Sequence, residues 1–229
     1  MPDGILVLLR ELERADEEVG AVLADLDRLG ERLDSLRTRV SDLRAFEDRL
    51  PSERERGASE LERARVEAES AHDALDKAEE AVRSAKPEAA REAELFEVRV
   101  RDSVKSAERN LAEAGKVAAS LEREATEAGR EAGDLHRSAR ALAEELGGRS
   151  RLAEDAGKEP GRGLDRVIAW AEVARASLFV ARGQVTAERE AVVRQANELG
   201  AVALGEPLTS ASPAIVARRV EQWLAHGDA

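Results

Sequence analysis

A seven-residue apolar repeat governs the first fifty residues, and few folds accommodate it. With Ile5 at position a, the a series is Ile5, Leu12, Val19, Leu26, Leu33, Val40 and Glu47. The d series is Leu8, Ala15, Val22, Leu29, Leu36, Leu43 and Leu50. Thirteen of these fourteen positions are apolar. A stripe this narrow, with a 3.5-residue period, is the mark of a coiled-coil seam. The expected first element is a coiled-coil helix from about Asp3 to Leu50, making residues 1–50 one segment.

Composition supports long helices over a thick core. Charged residues make up 37 % of the 229 positions and aromatic ones 2 %, the latter being Phe46, Phe96, Phe179, Trp170 and Trp223. A core of ordinary thickness needs more bulky side chains than this. The balance argues against a compact α/β enzyme, and the lack of Cys against a disulfide scaffold or zinc ribbon.

Breakers divide the rest. Pro51 is expected to stop the first helix, with Ser52 and Glu55 forming a capping box for the next. A second repeat follows, with Leu61, Ala68, Leu75 and Val82 at a and Ala64, Ala71 and Ala78 at d. An antiparallel hairpin centred on Ser52 would pair Leu43 with Leu61, Leu36 with Ala68 and Leu29 with Leu75, large side chains mostly on small. Pro87 lacks a good N-cap and any nearby Gly, so it reads as a kink inside a long central helix over 51–146. Beyond it the phase steps, to Val104, Leu111, Ala118, Ala125, Ala132, Ala139 and Leu146 at a and Val100, Ala107, Ala114, Leu121, Ala128, Leu135 and Leu142 at d. Residues 147–163 read as a Gly/Pro linker and 164–229 as a C-terminal helical segment. In that segment a third repeat opens at Leu164, and a last helix follows, with Ser212 as N-cap and Pro213 as its first residue. The expected fold is all-α: an elongated antiparallel coiled-coil rod, a long central helix with helices folded back along each half, plus a short C-terminal helix.

Charge is sorted along the first helix. Residues before 28 are net −6 and those from 28 to 50 are net +1, within a chain of net −12. An antiparallel homodimer through this helix would set Glu11 against Arg39, Glu18 against Arg32 and Asp16 against Arg37. Such exposed pairs decide orientation more than stability. Trp170, Phe179 and Trp223 lie in a C-terminal region of zero net charge; they either fill a small helical core or anchor a partner.

Little points to chemistry. His72 and Asp76 stand one turn apart, two ligands without a third. No phosphate loop, dinucleotide fingerprint or nucleophile elbow is present. No enzyme activity, cofactor or metal is expected. The acidic balance disfavours nucleic acid. No run approaches the roughly 20 apolar residues of a membrane span, so a cytoplasmic location is expected. The expected function is that of a coiled-coil scaffold, spacer or adaptor.

Two resemblances stand beside this reading. The heptad-rich chain resembles the coiled-coil arms of chromosome-segregation ATPases, without their heads or phosphate loop. Size, acidity and the expected long hairpin are similar to the phage-shock-protein A family, which implies a polymer on membranes. That family usually carries an N-terminal amphipathic helix for lipid insertion; residues 1–9 here are short and almost without basic charge.

Overall fold

The structure, a computed structural model, describes residues 2–148, 160–161 and 163–226. These form four α-helices and, among the described residues, no strand. The helices are α1 (Pro2–Ser84), α2 (Ala90–Gly148), α3 (Leu164–Leu204) and α4 (Pro213–His226). Most of the expected linker lies outside the described residues. The chain divides into two compact units, Met1–Ser41 with Leu135–Ala229, and Asp42–Asp134.

The second unit corrects the expected hairpin. α1 does not stop at Pro51 but runs through it to Ser84. A proline in a helix interior removes one backbone bond and costs about 3 kcal/mol, which packing must offset. The expected capping box is absent: the Ser52 hydroxyl donates backwards to the Arg49 carbonyl (2.8 Å), and Arg49 Nε donates to the Ala45 carbonyl (3.2 Å). The chain reverses instead at 85–89. The Ala89 amide donates to the Lys86 carbonyl (2.9 Å), placing Pro87 second in a four-residue turn. Proline suits that position because its φ is already set. No turn residue takes a positive φ, so none has to be glycine.

Partners across this hairpin are centred on the turn. His72 Nε2 lies 3.3 Å from Glu108, Arg101 meets Glu79 at 3.6 Å and Arg54 meets Glu122 at 2.7 Å. The buried positions of this unit include Ala64, Ala68, Ala78, Val104, Ala107 and Ala128. All lie at expected heptad sites, and their small size lets the two backbones approach closely. Leu43 and Leu61, expected as partners, are on one helix about 27 Å apart along its axis.

In the first unit α1 is flanked by two helices. Arg32 meets Glu145 of α2 (2.6 Å), and Arg37 meets Glu172 of α3 (3.7 Å). The α1 positions Leu29, Leu33, Leu36 and Val40 are buried, as are Leu135, Ala139, Leu142 and Leu146 of α2. On α3 the buried row is Leu164, Val167, Ala171, Ala174, Leu178, Ala181 and Val185, the repeat expected from Leu164 onward.

α4 closes the far end of this unit. Leu9, Ala196, Val216, Ala217 and Val220 form a buried cluster. The chain enters α4 by a tight route. Gly205 takes a left-handed φ of 72° to end α3, and the Ser212 carbonyl accepts the Val216 amide (3.0 Å) as α4 begins. Gly200 admits α4 at close range: a Cβ there would sit 2.4 Å from Val216 Cγ1. Asn197 pins the connector, its Nδ2 donating to the Ala211 carbonyl (2.8 Å) while its Oδ1 accepts the Ala211 amide (3.2 Å).

Candidate functional site: an open helical seam

The ionic contacts of the first unit follow the heptad. Arg175, Arg182 and Arg189 recur every seven residues on α3. Arg175 meets Asp34 (3.1 Å), Arg182 meets Asp27 (2.8 Å) and Arg189 meets Asp16 (2.8 Å). The register would set Arg189 opposite position 20, but Gly20 stands there, so it reaches one turn further to Asp16. Hydrogen bonding to Asp16 raises the affinity of the Arg189 guanidinium for its proton. Arg10 is raised in the same way by its hydrogen bonds to Glu13 and to Glu221, the second of which ties α1 to α4.

These contacts engage part of the expected interaction set within the chain. Asp16, Arg32 and Arg37 are engaged within the chain, by Arg189, Glu145 and Glu172. Arg39 borders a small cleft with Arg32, Ser35, Leu36, Ser138 and Leu142. Glu11 and Glu18 are exposed and, among the described residues, enter no ion pair. The three aromatic side chains separate. Trp170 is buried, with its Nε1 lacking a hydrogen-bond partner. Phe179 is 78 % exposed, and Trp223, expected on the apolar face of α4, is about half exposed.

The repeat also left something the sequence reading missed. Leu8, Leu12 and Ala15 of α1 and Leu199 and Val202 of α3 line a groove of about 540 Å³, rimmed by Glu11, Gln195 and Glu198. Leu8 is 46 % exposed and Val202 75 %. The signal was present: Leu8 and Leu12 belong to the same a/d series as the buried Leu29 and Leu33. The expected helix stacking on that series, however, was placed along its whole length.

Among the described residues no three His, Asp or Glu side chains gather to hold a metal ion. None of the described helices is long and apolar enough to cross a membrane. No family model matches the chain, and neither curated proteins nor solved structures match it.

Proposed function

We propose that this chain is a non-enzymatic coiled-coil protein, a scaffold, spacer or adaptor acting through helix–helix association. One observation carries the reading. The α1 seam is buried from Leu29 to Val40 but open at Leu8 and at Val22, which is 41 % exposed. A continuous apolar seam left open in water is a surface suited to a further helix. Exposed Phe179 and Trp223 add aromatic side chains of the kind that anchor interfaces.

Site-specific photo-crosslinking in the source cells tests this. A photoreactive residue at Leu8, Phe179 or Val202 is expected to give discrete adducts with one or a few proteins. The same residue at exposed Glu60 is the control. No adduct at any of the three positions would contradict the reading.

A second reading, a polymer on membranes, draws on a different observation. Leu95, Phe96 and Val98 are exposed just beyond the Pro87 turn. Co-sedimentation with anionic vesicles separates the two. Under the first reading the protein stays in the supernatant, whereas large lipid-bound assemblies would favour the second.

A further inference from the structure

The α1 seam changes its surroundings near Leu29. From Leu29 to Val40 it is covered by the last turns of α2, which meet it at Arg32–Glu145 and at Ser35, Leu36, Ser138 and Leu142. α2 runs antiparallel to α1 and is described as far as Gly148. The seam does not end there: Leu26, Val22, Val19, Ala15, Leu12 and Leu8 continue it, half-buried or exposed. α3 continues beside it, and α4 packs on the Leu9 side. The groove of Leu8, Leu12, Ala15, Leu199 and Val202 therefore lies along the seam that α2 covers further on.

The charges on its edge differ from those beside α2. On α1, Arg32 and Arg39 occupy heptad position g, and Arg32 meets an acidic residue of the covering helix. In the open stretch the same heptad position holds Glu11, Glu18 and Asp25. On α3, Trp170 is buried at its own g position, and Glu198, four heptads on, stands exposed. Among the described residues Glu11 and Glu198 are the only charged ones lining the groove, and neither enters an ion pair.

We infer that this groove binds a basic amphipathic helix of a partner protein, extending the cover that α2 begins. The inference rests on the helix-association reading above and adds the chemistry of the partner. The occupant needs apolar residues spaced like Leu135, Ala139, Leu142 and Leu146, with Lys or Arg toward Glu11, Glu18 and Glu198. The half-buried to exposed seam from Leu8 to Val22 takes about four helical turns, roughly 21 Å. A second copy of this chain fits poorly, because its matching face would bring acid to acid.

Fluorescence anisotropy on the full chain tests the inference with three labelled 18-residue helical peptides. One carries Leu at that spacing and Lys at the polar positions. The second keeps the Leu and replaces Lys with Glu. The third keeps the Lys composition with the Leu positions scrambled. The first is expected to bind at least tenfold more tightly than either control, and to weaken as salt rises. Glu11→Lys with Glu198→Lys is expected to weaken it at least tenfold, and Leu8→Ser with Val202→Ser likewise. Glu60→Lys with Glu67→Lys, the same reversal on the other unit, should change it less than twofold. Circular dichroism confirms that each variant retains its helices.

Equal binding of all three peptides, or equal loss from the groove and distant reversals, would overturn the inference in favour of diffuse attraction to an acidic protein. Dimers of the free chain that dissociate on the Leu8→Ser, Val202→Ser change would overturn it in favour of a second copy. Crosslinks at Phe179 combined with failure of the Lys peptide would remove this inference and leave the helix-association reading standing. Failure of both would remove both.

Discussion

Arg182 of α3 lies 2.8 Å from Asp27 of α1, the middle rung of a ladder with Arg175–Asp34 and Arg189–Asp16. The ladder fixes which turns of the two helices stand side by side. Each rung is partly open to water, so its value is in register more than in stability. A double-mutant cycle of Arg182→Ala and Asp27→Ala should give a coupling of about 0.2–1 kcal/mol. The coupling should shrink in 1 M salt, where the screening length falls to about 3 Å. A coupling unaffected by salt would be inconsistent with an exposed rung.

Pro51 sits inside α1, where its ring removes a backbone bond. Pro51→Ala should therefore stabilise the protein by roughly 1–3 kcal/mol in denaturant melts. If the chain turned at this residue, the same substitution would bring no such gain.

Two glycines should respond in opposite directions. At Gly200 an added methyl would lie 2.4 Å from Val216 Cγ1 and 2.6 Å from Leu208 Cδ1. Gly200→Ala should cost about 1–3 kcal/mol as α4 is pushed away. Gly30 lies within α1 with nothing within 4 Å of its would-be Cβ. Gly30→Ala should gain about 0.5–1 kcal/mol through helix propensity. Thermal melts of the two variants check both signs.

Asn197 is the buried polar side chain that holds the α3–α4 connector at Ala211. Asn197→Ala leaves the buried ends of that clamp unpaired, at a cost of about 1–3 kcal/mol. Hydrogen exchange should show faster exchange of the Ala211 amide. Unchanged exchange there would mean that the connector is held by other contacts.

Much of the fold was legible because the heptad is a physical repeat. The a and d residues of α1, α2 and α3 include most of the buried side chains, and α3 and α4 begin at the expected Leu164 and Pro213. Pro51, read as a local breaker, misplaces the hairpin, because a proline can sit inside a helix whose packing offsets the lost bond. A second signal pointed the other way. Leu61 is three heptads from Val40, so the repeat passes Pro51 without losing phase, and it steps only near Pro87. A helix that ends has no reason to keep phase with the next, whereas a continuous one must. The a-on-d pairing about Ser52 follows from that shared phase and is no independent test of the turn.

The site was less legible than the fold. Charges on α1 could be sorted by sign, but not by partner, because α3 is distant in sequence. Asp16 and Arg37 answer to Arg189 and Glu172, contacts that only the folded chain brings together. Trp223 lies on the same side of a helical wheel as Val216 and Val220, yet α4 turns the two valines inward and leaves Trp223 about half exposed. The open groove depends on the register of α2 along α1, and so on the position of the turn.

The position of that turn is therefore the point to measure. The chain has no Cys, so paired nitroxide labels can be placed at will. Labels at 43 and 61 should report about 27 Å along one helix. Labels at 72 and 108 should report near contact across the hairpin, about 10 Å between backbones. Near contact for 43 and 61, with 72 and 108 about 54 Å apart along one helix, would contradict the Pro87 turn and the open seam that depends on it.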